Sequence, residues 1–307
     1  MSINESVPAQ AAQKKVAVGL TLAALGAVGF SGKAIIVKLA YRYGVDAVTL
    51  LMYRMLFSLP IFLLMGWWAG RGQRPLTRQD GWGILGLGFC GYYLASFLDF
   101  AGLAYITAAL ERLILYLNPT LVVLLGWVFY RRGVTRGQLL GMALSYGGVL
   151  LVFGHEVGAQ GEHAILGALL VLGSAISYAV YLVYSHQLVQ RLGALRLVGL
   201  ATSVACVLCL AQFALMRPLS AALVPAPVLW LSVLNATLCT AAPVVMVMLA
   251  VERIGASTAA QAGMIGPLST IVLALWLLDE DVNAWMLGGT VLVMGGIYVF
   301  TRMARRP

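Results

Sequence analysis

Charge is what this 307-residue chain has least of: Asp, Glu, Lys and Arg make up 10% of it, and 61% is hydrophobic. A soluble domain carries about a quarter charged residues, so the shortfall excludes an ordinary water-soluble fold. Histidine numbers three and forms no HExxH pair, which removes that zinc-hydrolase site. No GxxxxGK[ST] phosphate loop is present, which disfavours primary, nucleotide-driven transport. The cysteines (Cys90, Cys206, Cys209, Cys239) lie in apolar segments without metal spacing and read as small hydrophobes. No catalytic residue, metal or cofactor is expected. The net charge of +9 suggests nucleic acid at first sight, but its distribution argues against that partner.

What is present is a series of apolar segments long enough to cross a bilayer, which takes about 20 residues each. Ten are expected, near 16–40, 46–68, 81–103, 107–130, 136–154, 164–186, 194–216, 226–250, 255–278 and 284–302. Residues 1–15 are polar and are expected as a disordered cytoplasmic tail. Fourteen of the 20 basic residues fall before span 1, after span 10 or in the loops on that side; Arg42 and Arg217 lie in the opposite loops. Lys33, Lys38, Arg54 and Arg112 lie within spans. Positive charge marks the cytoplasmic side, so both termini are expected inside, in a multi-pass cell-membrane protein, with a bacterial inner membrane favoured. The Asp279-Glu280-Asp281 turn and the Glu156/Glu162 loop then fall outside.

The chain is also written twice. Sliding it by 148 residues lays Pro119 on Pro267, Gly141 on Gly289 and Gly147-Gly148 on Gly295-Gly296, with Leu125, Val134, Leu139 and Leu144 also meeting their own kind. The two copies, 16–154 and 164–302, each hold five spans. An odd number forces them upside down to each other, a pattern that marks transporters. The predicted fold is an all-α membrane protein of ten transmembrane helices in two inverted five-helix repeats. The Gly-Gly pairs of spans 5 and 10 and the glycines of span 3 predict close helix packing.

Ionisable groups inside a membrane are costly and mark function by default. All six here (Lys33, Lys38, Arg54, Asp99, Glu111, Arg112) belong to the first copy. Glu111, Leu115 and Asn118 recur on one helical stripe, as do Tyr92, Ser96 and Asp99, so both stripes can face one aqueous pocket. The bland alternative is a structural ion-pair network in which Asp99 or Glu111 neutralises Arg54 or Arg112. The second copy offers neutral polarity: Ser174, Ser177, Tyr178, Tyr181 and Ser185 on span 6, and Ser257, Gln261 and Met264 on span 9. Asn118-Pro119 and Gly266-Pro267 predict matching breaks in spans 4 and 9.

These features resemble the drug/metabolite transporter superfamily, in particular its EamA-type ten-helix members, over residues 16–302. The resemblance rests on the Phe30-to-Lys38 run, Arg54, the two proline breaks, the Trp276-to-Glu280 run and the Gly-Gly pairs. It implies a central cavity lined by spans 1–4 and 6–9, with spans 5 and 10 as struts or a homodimer contact. Arg131-Arg132 stand where the family usually has Gly-Glu, and Glu111-Arg112 replace commonly small, neutral residues, which favours a specific polar solute over generic multidrug traffic. The function expected is secondary active transport of a small organic metabolite by alternating access. The reading is an exporter of an amino-acid-like or carboxylate-bearing solute, with Glu111 and Asp99 coupling a proton and Arg112, Arg54 or Lys33 meeting the anionic group. The alternatives are a non-transporting membrane sensor or scaffold and an intramembrane enzyme.

Overall fold

A computed structural model describes residues 6–131, 133–280 and 283–303. Residues 1–5, Arg132, Asp281, Arg305 and Arg306 lie outside the described residues, as do the side chains of Glu162, Ser257 and Gln261. The described chain is helical. Nine helices are long and apolar enough to span a membrane: α1 Ser6–Tyr41, α2 Ala47–Gly70, α3 Arg78–Leu103, α4 Ala108–Phe129, α5 Arg136–Gly158, α6 His163–Leu192, α7 Ala194–Met216, α8 Ala226–Gly255 and α10 Ala284–Arg302. Between the last two, the shorter apolar α9 (Gly263–Leu277) completes ten. Where a disordered tail was expected over 1–15, α1 is already helical from Ser6; the Ala, Gln and Lys residues ahead of the apolar run are good helix formers.

Caps and glycines set the ends. Asp46 caps α2 by accepting from Val48 N and Thr49 N, and Thr77 and Asp80 close a capping box at α3. The α6–α7 and α8–α9 junctions turn at Gly193 and Gly255, whose φ of 82° and 78° suit a residue without Cβ. Gly255 separates two helical runs that otherwise read as one, closing the eighth span and opening the ninth.

The packing obeys the repeat. Helices α5 and α10 are sequence equivalents and pack on each other, as do α2 and α7; α1 packs on α8, and the image of that pair, α6 on α3, is also formed. Glycines permit the first contact. A Cβ on Gly141 would lie 2.7 Å from Gly296 O, and one on Gly148 would lie 2.6 Å from Gly289 O. Rising numbers on α5 meet falling numbers on α10, so two equivalent helices run antiparallel. The repeats are inverted.

Four helices depart from regular geometry, at matching positions. α4 is interrupted at Tyr116-Leu117 and the ninth span at Gly263–Ile265, where α9 begins, each ahead of its proline. In addition α3 has a π-helical segment at Gly88–Leu94 and α8 one at Thr237–Ala241. π-bulges gather at functional sites. The glycines of α3 were read as packing alone, and Gly91 does meet Tyr181 closely, but the π turn has no such plain signal.

Candidate functional site

Between the repeats lies a cavity of about 390 Å³. It runs from Lys33 and Asp99 at one end to Phe62, Val198 and Met248 at the other; Arg54 to Phe62 alone spans about 12 Å along α2 at 1.5 Å per residue. Of the residues singled out in the sequence, Lys33, Arg54, Tyr92, Ser96, Asp99, Arg112, Leu115, Asn118, Ser174 and Tyr178 line it.

Glu111, Tyr181 and Met264 are not part of that lining. Glu111 is fully buried behind the wall. The face of this helical run that lines the cavity carries Arg112, Leu115 and Tyr116, and Glu111 sits at its edge, turned to Lys33. Tyr181 sits behind Tyr92, their hydroxyls 3.1 Å apart and their rings edge to face. Met264 packs in the apolar cluster with Leu115 and Tyr116. The Gln261 side chain lies outside the described residues.

The charges combine otherwise than expected. Lys33, not an arginine, neutralises the carboxylates: its Nζ stands 2.5 Å from Asp99 Oδ2 and 2.9 Å from Glu111 Oε1. Helix α1 lies against both α3 and the first half of α4, so one lysine reaches both acids. Arg54 is occupied elsewhere. Its Nε donates to Thr240 Oγ1 at 3.0 Å and its Nη1 to Ser96 Oγ at 3.4 Å, with the guanidinium over the Phe100 ring. Arg112 points toward the α9 break and stacks over Tyr116, 5.4 Å from the ring centre. Among the described residues neither arginine has a carboxylate within 4.0 Å. Arg112 Nε, Asn118 Oδ1 and Asp99 Oδ1 are buried without a hydrogen-bond partner, on three residues of the cavity wall. Buried polar atoms are usually paired, so these are places for a polar guest.

The backbone freed by the breaks is satisfied across the repeats, as a membrane requires. Tyr116 Oη donates to Gly263 O at 2.5 Å and Ser31 Oγ to Gly266 O at 2.9 Å. A Cβ on Gly266 would come within 2.6 Å of Tyr116 Oη and 2.8 Å of Arg112 Nη2, which explains why the equivalent of Asn118 is a glycine. Sequence reasoning missed Tyr116, Thr202 and Thr240 as cavity residues. The repeat offset held the signal for two of them: Thr202 is the image of Arg54, and Thr240 the image of Tyr92.

Beyond the Lys33 end, Thr107 and Ala108 open α4 and are held by acids from both repeats. Glu156 of α5 accepts from Thr107 N and Oγ1, and Glu280 accepts from Ala108 N at 3.1 Å. Burial pushes the Glu280 carboxyl above its usual range, with the Ala108 hydrogen bond and Lys38 only partly opposing it. Burial also disfavours ionised Asp46, but the hydrogen bonds from Thr49, the Arg217 charge and the Val48 N–H outweigh it and hold that carboxyl low. Arg42 donates to Leu278 O at 2.6 Å at the same end, again joining the repeats.

A family model described as the EamA-like transporter family matches residues 17–154 and 165–302, one match for each repeat. The chain belongs to this family. Among its relatives, the uncharacterized transporter YcbK of Bacillus subtilis (strain 168) is 28% identical over 295 residues, covering 92% of this chain and 94% of its own. The uncharacterized transporter sll1319 of Synechocystis sp. (strain ATCC 27184 / PCC 6803 / Kazusa) is 25% identical over 252 residues, covering 80% and 76%. A solved structure described only as a crystal structure of protein shares the fold, with a TM-score of 0.60 at 19% identity over 96% of this chain and 99% of that one. The protein is a multi-pass membrane transporter with the two-repeat EamA architecture.

Proposed function

We propose that this EamA protein is a secondary transporter, an exporter of a small organic solute bearing a carboxylate, working by alternating access between its two repeats. The observation that carries this is the division of charge in the central cavity. Lys33 is taken by Asp99 and Glu111, while Arg54 and Arg112 have no carboxylate partner among the described residues. Three cations against two carboxylates favour an anionic guest. Asp99 Oδ1 and Asn118 Oδ1 remain as acceptors for a donor group such as an ammonium, which makes an amino-acid-like solute the reading of choice.

The acid pair also supplies a coupling device. Two ionised carboxylates share one ammonium in a water-poor site, so the pair carries one surplus negative charge that a proton can cancel. A guest that draws Lys33 or Asp99 away changes what the other members need, and so ties occupancy to protonation. The cross-repeat bonds at Ala108 and Leu278 are consistent with closure of one end. By the charge distribution this is the outer end, with both termini in the cytoplasm and the protein in the inner membrane.

Comparing metabolites released by cells with and without the protein identifies the solute. Its flux is then followed in liposomes under an imposed pH gradient. The expectation is that Glu111→Gln folds but loses gradient-driven flux, with Asp99→Asn losing binding as well. Equal, undiminished flux in both variants rules the coupling pair out.

A further inference from the structure

A second cavity, of about 380 Å³, lies on the outer flank of the molecule between α4, α5 and α6. Its back wall is Ile114 and Leu117; its sides are Leu150 and Phe153 from α5 and Ile165 and Leu169 from α6. The one polar side chain among its lining residues is Tyr146, whose hydroxyl accepts from Thr120 Oγ1 at 3.3 Å. It touches no charged residue of the central cavity and takes no part in the function proposed above.

We propose that this slot is a binding site for one acyl chain of a glycerophospholipid. Its rims are apolar yet open: Leu150 is 64% and Leu169 61% exposed. In a helix bundle that crosses the bilayer, such residues face hydrocarbon, so the slot is continuous with the lipid-facing surface. The slot runs seven steps along α5, from Tyr146 to Phe153, and seven along α6, from Ile165 to Leu172. At 1.5 Å per residue that is about 10 Å, which fits within one leaflet of a hydrocarbon core about 30 Å thick. The end near Phe153 and Ile165 leads within two residues to exposed His155 and His163. These rings stack on Trp285 and Tyr105 respectively. Aromatic residues of this kind sit at headgroup depth, so the slot has a polar mouth and an apolar depth, as a phospholipid has.

A second copy of the chain fits less well. In a two-fold contact the same patch faces itself, and two concave slots would enclose a void, whose lining loses its dispersion contacts. A flexible chain fills the slot from one side.

The back wall gives the site a consequence. Leu117 lies in the break in α4 and Ile114 just ahead of it, while Leu115, Tyr116 and Asn118 on the same turn line the central cavity. A bound chain therefore braces the break from the lipid side.

The test uses the full-length protein, delipidated in detergent, titrated with palmitoyl-oleoyl phosphatidylglycerol and followed by native mass spectrometry and thermal unfolding. One lipid per monomer is expected to bind and raise the melting temperature. Ala168→Phe and, separately, Leu150→Phe, which fill the slot, are expected to weaken that binding about ten-fold, a change of about 1.4 kcal/mol. Leu275→Phe, on the exposed side of α9, is expected to leave it unchanged. Undiminished lipid binding in both slot variants overturns the proposal. So does a wild-type dimer that the slot variants split, which would make the slot an interface between copies.

Discussion

Lys33 is the residue on which the charge arrangement turns. Removing one partner of a buried ion pair leaves an uncompensated charge and costs about 3–5 kcal/mol. Lys33→Ala strands two carboxylates, so it is expected to lower stability by about that much. Adding Glu111→Gln to Lys33→Ala should recover part of the loss, because one stranded charge disappears. A double-mutant cycle read by thermal unfolding checks this; additive effects would mean that Lys33 and Glu111 are not coupled. Two carboxylates outside the spans have opposite pH signatures. The depressed Asp46 carboxyl contributes stability that is fully present at neutral pH and is lost as pH falls below its ordinary value near 3.8. Asp46→Asn should therefore fall short of wild type at pH 7, and the gap should narrow as pH falls below about 3.8. The raised Glu280 carboxyl works the other way, its ionised form being disfavoured by folding. Glu280→Gln should gain relative to wild type as pH rises from 4 to 8, with melting curves across that range as the check.

Among the elements, the broken helices and the glycine crossing differ in what they demand. Inserting bulk into a packed contact costs about 1–3 kcal/mol, and at the α5–α10 crossing the obstructing atoms are backbone. Gly148→Leu and Gly289→Leu are each expected to lower the melting temperature, whereas Gly147→Leu, whose Cβ would meet nothing within 4 Å, is expected to be silent. The two prolines and the Gly-Gly pairs were legible in the sequence because backbone devices must recur in both copies for the repeats to superpose. The π-helical segments were not. They need only a local surplus of residues per turn, which no single residue type announces, and only the pairing of Tyr92 with Thr240 across the offset hints at them. The place of Glu111 was misjudged for another reason: it is at the edge of the face that Arg112, Leu115 and Tyr116 present to the cavity, and spacing along one helix does not say which edge a neighbouring helix covers.

For the whole molecule, ten spans would leave both termini on one face of the membrane, and the orientation proposed above makes that face the cytoplasmic one. Reporter fusions at Met303 and in the loop after Tyr41 are expected to report opposite sides, the first cytoplasmic; a periplasmic signal from the C-terminal fusion would reverse the orientation. Class, span number and inversion could be read from composition and offset. The identity of the cation between Asp99 and Glu111 could not, because it depends on which of three helices comes nearest, and sequence spacing within one helix carries no information about its neighbours.

Helices α5 and α10 carry one further consequence. Each is the image of the other, and they touch along backbone with nothing between them. A half-length chain could make the same contact with a sister copy only if the two had been threaded into the bilayer in opposite senses, leaving assembly to the odds of mixed insertion. Joined end to end, with five crossings in the first half, the chain removes that lottery: whichever way its first helix enters, the second half must enter the other way.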